Sequence, residues 1–104
     1  MIFRREPFRD LVARQLDLFV EDESELLEEC REMARSYERA PREDAEEAYG
    51  GFVDAVETAT QALAAMRDRF ARTLGEDAAG AYEEAFNRAV RRRWPELARE
   101  IEER

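Results

Sequence analysis

Apolar residues recur along this chain at alternating steps of three and four, the spacing of one face of a helix. The first run is Val12, Leu16, Phe19, Glu23, Leu26, Cys30, Met33 and Tyr37, apolar everywhere except at Glu23. The second is Tyr49, Phe52, Val56, Ala59, Leu63, Met66, Phe70 and Leu74. At 3.6 residues per turn, each run is a single stripe along a helix of about eight turns. No alternating strand pattern of useful length competes with them. Two such stripes must bury each other, so the spacing predicts an all-α fold built on a long antiparallel helical hairpin.

Proline and glycine set the boundaries. Residues 1–6 read as an N-terminal arm, and Pro7 suits the first turn of a helix, where its missing N–H is harmless. The first helix is expected over 7–38. It passes through the acidic stretch Glu21–Glu25, where Asp22 and Glu25 have capping-box spacing. The stripe keeps phase there, which favours one continuous helix. Pro41 ends it by disfavouring helical geometry in Ala40. The second helix is expected over 42–74, with Glu43, Asp44, Glu46 and Glu47 at its N-terminus, where the dipole favours negative charge. Gly50-Gly51 lies inside it at a cost of about 1 kcal/mol per glycine relative to alanine. Either the first helix approaches closely there, or the second helix begins near Gly51; Tyr49 fits the stripe and favours the first. Gly75 is expected as a C-cap. A third helix over 77–103, kinked at Pro95, carries Tyr82, Phe86, Val90, Leu97 and Ile101. The whole is a single domain, a three-helix bundle. The short third helix leaves apolar hairpin surface that a second copy would cover, so a homodimer is expected.

Charge and residue inventory narrow the chemistry. The formal charge of -9 argues against a broad phosphate-binding surface, so no nucleic-acid partner is expected. No apolar run approaches the roughly 20 residues that span a bilayer. All 17 basic residues are arginine. Without lysine there is no Schiff base, and without histidine no imidazole base or imidazole metal ligand. The single Cys30 sits on the apolar stripe among Glu28, Glu29 and Glu32, a setting that suits a buried thiol rather than a reactive one. A free thiol and no leader sequence point to the cytoplasm.

One cluster carries possible enzyme chemistry. Glu28-Glu29-Cys30-Arg31-Glu32 has Glu-Glu-x-x-Glu spacing, and carboxylates three or four apart share a helix face and can share a divalent cation. This fragment resembles the first half of the motif of the all-helical MazG-like nucleotide pyrophosphohydrolases. That resemblance implies a magnesium site completed by a Glu-x-x-Asp on the next helix. The nearest counterpart here is Asp54-Ala55-Val56-Glu57, in reversed order. The implied ligands are Glu28, Glu29, Glu32, Asp54 and Glu57, with magnesium polarising a phosphoryl oxygen and activating water. Glu23, alone on its apolar stripe, is a second candidate carboxylate for a metal or for fixing helix register.

The remaining features suggest binding rather than catalysis. Arg88, Arg91, Arg92 and Arg93 form a local basic cluster at a helix end. Ile2, Phe3, Phe8 and Trp94 are apolar or aromatic residues near helix ends, and aromatics and arginine are enriched at binding hot spots. The leading expectation is a non-enzymatic protein interaction or assembly module, with Phe3, Phe8, Arg91, Arg92, Arg93 and Trp94 on the partner surface and no cofactor. The magnesium-dependent hydrolase is the competing expectation. An acidic decoy of nucleic acid rests on net charge alone.

Overall fold

The computed structural model describes residues 7–104, in which every regular element is helical: α1 (Arg9–Asp22), α2 (Ser24–Arg39), α3 (Ala45–Ala71), α4 (Glu76–Arg93) and α5 (Ala98–Glu103). Short 3-10 turns at Arg42–Asp44 and Pro95–Leu97 lead into α3 and α5. The all-α expectation holds, but the described residues make five helices where three were expected. Ile2 and Phe3 lie outside the described residues.

The first departure is at Glu23. The expected continuous helix is broken there, with φ -116° and ψ 33°, and no side chain caps the start of α2. The chain bends rather than loops. Glu23 N–H still donates to the Phe19 carbonyl at 2.8 Å, and Leu27 N–H to the Glu23 carbonyl at 3.0 Å. A straight helix would carry the Glu23 carboxylate along the packed face, where an unpaired charge is costly. Past the bend Leu27 and Cys30 are buried, and Leu26 of the expected stripe is only partly so. It also gives the halves different neighbours: α1 turns onto α4, and α2 stays on α3.

α2 and α3 run in opposite directions. The Cys30 thiol donates to the Ala55 carbonyl at 3.3 Å, and the Tyr37 and Tyr49 rings lie 5.2 Å apart. The glycine pair is inside α3, as the stripe implied. A Cβ on Gly51 would stand 3.3 Å from Met33 Sδ, so the helices do approach closely there. The contacting residue on α2 is Met33.

The expected third helix turns a corner. Trp94, at φ -134° and ψ 82°, ends α4, and Pro95 opens the 3-10 turn. Arg91 and Glu102 form an ion pair although eleven residues apart, about 16 Å along a straight helix. Gly75 also takes a different role. It is extended, at φ -68° and ψ 162°, and serves as N-cap of α4. The end of α3 tightens instead through Thr73 N–H to the Phe70 carbonyl and Leu74 N–H to the Ala71 carbonyl.

The core lies where α1, α3, α4 and α5 meet. Leu16, Leu63, Tyr82, Phe86, Val90, Leu97 and Ile101 are buried there. The Tyr82 hydroxyl donates to Gln15 Oε1 at 2.7 Å. Arg67 is also inside: Nη1 donates to Asn87 Oδ1 at 2.9 Å and to the Ile101 carbonyl at 3.2 Å, and Nε to Asp68 Oδ1 at 2.8 Å. One guanidinium thus ties α3 to α4 and α5.

Candidate functional site: the open end of the α2 and α3 pair

The α4–α5 corner covers only part of the valley between α2 and α3. Past Trp94 and Leu97 the valley opens. Its first section is a cleft of about 360 Å³ lined by Leu27, Cys30, Arg31, Ala34, Glu38, Phe52, Trp94, Glu96 and Leu97. A shallower hollow of about 240 Å³ adjoins it on the α5 side and shares Phe52 and Glu96 with it. Beyond lie the tyrosines at the tip. Tyr37 is 42% exposed and Tyr49 is 50% exposed. The Tyr37 ring also stacks on Phe52, with centroids 6.5 Å apart and planes 11° from parallel. The stripe that seals the core lower down therefore continues here with its tyrosines about half exposed.

The floor of the valley is not equipped for nucleophilic chemistry. Burial pushes the Cys30 thiol above its usual range, and the charges of Glu29 and Glu96 add to this. A thiol kept protonated and donating to a carbonyl is a packing group.

The five carboxylates of the metal reading stand apart. Among the described residues, no group of three or more aspartate, glutamate or cysteine side chains is placed to hold a metal ion. Helix geometry explains this. Cys30 faces α3, and Glu28 and Glu32 are two residues away, about 200° around the helix. Glu28, Glu29, Glu32, Asp54 and Glu57 are all exposed. Glu28 instead accepts from Arg35 at 3.1 Å and Arg31 at 3.2 Å, and these bonds hold its carboxyl below the usual range. Glu23 is half-buried at the bend and belongs to no such group either.

The residues expected at a partner surface are engaged within the chain. Phe8 has a left-handed backbone, φ 70°, and its ring meets Tyr82 edge-on at 5.6 Å. Trp94 is only 9% exposed and packs against Phe19 at 6.1 Å, so it is a core residue whose edge reaches the cleft. The Arg93 guanidinium lies 5.3 Å from the Trp94 ring centroid and donates to Asp17 Oδ1 at 2.8 Å. Arg91 pairs with Glu102, and Arg92 is exposed beside Arg9 and Ala89. Phe3 lies outside the described residues. Sequence reasoning missed Tyr37, Tyr49 and Phe52 as a surface because it assigned them to the packed stripe. It also missed Arg67 as a buried group.

No family model, curated protein or solved structure matches this chain. No helix among the described residues is long and apolar enough to cross a membrane.

Proposed function

We propose that this protein is a non-enzymatic helical interaction or assembly module whose contact surface is the open end of the α2 and α3 pair. One observation carries this reading: an apolar valley with two half-exposed tyrosines at its lip, left open by the other described residues. Contiguous exposed apolar surface of this kind marks contact sites, and tyrosine, tryptophan and arginine are the residues that dominate binding energy there. A chain without lysine or histidine, whose one thiol is buried, has little with which to do group-transfer chemistry. The arginines after Val90 serve in this reading as braces, through Asp17 and Glu102, rather than as the docking patch.

A photoreactive phenylalanine analogue placed at Tyr37 and, as a control, at exposed Glu21 tests this in cells. The expected result is a discrete protein adduct from Tyr37 and none from Glu21. No adduct at Tyr37, or the same pattern at both positions, would refute the contact surface. A magnesium titration addresses the competing hydrolase. Ions that bind only the folded state raise its melting temperature, so a clear rise together with phosphate release from nucleotides would replace the module by an enzyme.

A further inference from the structure

Resting on that contact surface, we infer that the open valley is covered by the same valley of a second copy, the two α2 helices crossing antiparallel about a two-fold axis between Ala34 and Arg35. The pattern of charge along the rim is self-complementary. Arg31 and Glu38 both line the cleft, one turn to either side of Ala34. An antiparallel crossing centred between Ala34 and Arg35 sets Arg31 of one copy opposite Glu38 of the second, and Glu38 opposite Arg31. A two-fold contact uses the same patch on both partners, so opposite charges must sit at equal distances from the axis. These two do.

Size agrees with charge. Ala34, the cleft-lining residue beside the axis, carries only a methyl group, which leaves room there for the second copy. Tyr37 and Tyr49 then close over the apolar floor from each copy. Arg31 is free to take the new partner at little cost. Its bond to Glu28 spans three residues of one helix, with side chains 56% and 52% exposed. Exposed pairs of that kind contribute little to stability. A surface one valley wide is at the small end of stable interfaces, so a dissociation constant on the order of 10–100 µM is expected.

Charge reversal tests the symmetry as well as the contact. In Arg31→Glu, two copies would face Glu against Glu twice; in Glu38→Arg, Arg against Arg twice. Each variant alone is expected to associate about tenfold or more weakly than the original chain in sedimentation velocity. An equimolar mixture of the two restores opposite charges at both contacts and is expected to re-form the dimer. That rescue also shows that both variants are folded, and circular dichroism of each alone confirms it.

A chain that stays monomeric at several hundred micromolar overturns the pairing. So does a dimer indifferent to either reversal, or a mixture that fails to re-associate. The Tyr37 adduct separates this failure from that of the contact surface. An adduct with the mass of two copies supports the pairing, and one with a different protein overturns it while leaving the interaction module standing. No adduct removes both.

Discussion

Aromatic rings are used in opposite ways at the two ends of this molecule. Where α1, α4 and α5 meet α3, Tyr82 is fully buried, with Phe8, Phe70 and Phe86 ring centroids 4.8–6.0 Å away. At the tip of α2 and α3, Tyr37 and Tyr49 touch each other and Phe52 but stay about half exposed. Both clusters sit on the same helical periodicity. They differ in what lies on top: several helices close one end, and at the other the chain turns back at Pro95 before covering the valley. A helical stripe therefore says which residues want burial, and the path of the neighbouring helices decides which of them get it.

The largest expected effect measures that difference directly. Phe86→Ala removes a fully buried ring and should cost about 3–5 kcal/mol of unfolding free energy. Phe52→Ala removes a half-buried ring at the open end and should cost about 1–2 kcal/mol. Urea denaturation of both variants, at concentrations where the chain is monomeric, gives the two values. Equal costs would mean that the tip is packed as tightly as the core.

The second effect separates the ends by pH. Burial raises the Tyr82 hydroxyl from its ordinary 10 to about 12, with the hydrogen bond to Gln15 and the charge of Arg67 opposing the rise. The folded state holds this proton more tightly than the unfolded chain. Stability from this group is therefore fully present below pH 10 and is lost as pH rises from about 10 to about 12. Two units correspond to roughly 2–3 kcal/mol. The Tyr82→Phe variant should lack this loss, so the gap between the two melting curves should close with rising pH. A gap independent of pH would place Tyr82 in contact with water.

Much of the closed end was legible in the residues. Val12, Leu16, Phe19, Val56, Ala59, Leu63 and Val90 were all read as inward-facing, and all are buried. Three features were not legible, each for a physical reason. The break at Glu23 preserves two backbone hydrogen bonds, and the apolar spacing keeps phase across it, which outweighed the acidic stretch and the polar Glu23 as signs of a break. Arg67 looks like an arginine placed to suit a helix C-terminus. Its burial follows from a row, Thr60, Ala64, Arg67 and Ala71, whose small members let α4 and α5 close over it. The carboxylates failed differently. Spacing of three or four residues places Glu28 and Glu32 on one face of α2, and nothing in the spacing says that this face points away from α3. The open valley was visible only as a surplus of apolar helix, since periodicity carries no information about coverage.

Gly50 and Gly51 sharpen the comparison at the level of one methyl group. A Cβ at Gly50 meets nothing within 4 Å, whereas one at Gly51 stands 3.3 Å from Met33 Sδ. Gly50→Ala should therefore gain the full helix-propensity difference, about 0.8–1 kcal/mol. Gly51→Ala should gain less, because Met33 must shift by a few tenths of an ångström. Thermal melts rank the two. A larger gain at Gly51 than at Gly50 would mean that the helices are not in close contact at that level.

The smallest effect on the fold belongs to Tyr37, at the lip of the proposed contact surface. Tyr37→Ser removes ring contacts with Tyr49 and Phe52, and an aromatic pair contributes about 0.5–1.5 kcal/mol beyond burial. The exposed half of the ring contributes nothing to the isolated chain, so the loss should stay below about 1 kcal/mol. The same substitution takes a large apolar ring from the lip of the valley, and association should weaken far more than folding. Urea midpoints at low concentration and sedimentation at high concentration separate the two quantities. A strongly destabilised chain would make Tyr37 a core residue by energy despite its exposure, and the two ends would then differ only in appearance. A stable chain that no longer associates would mean that the open end is free to bind because the closed end alone holds the fold.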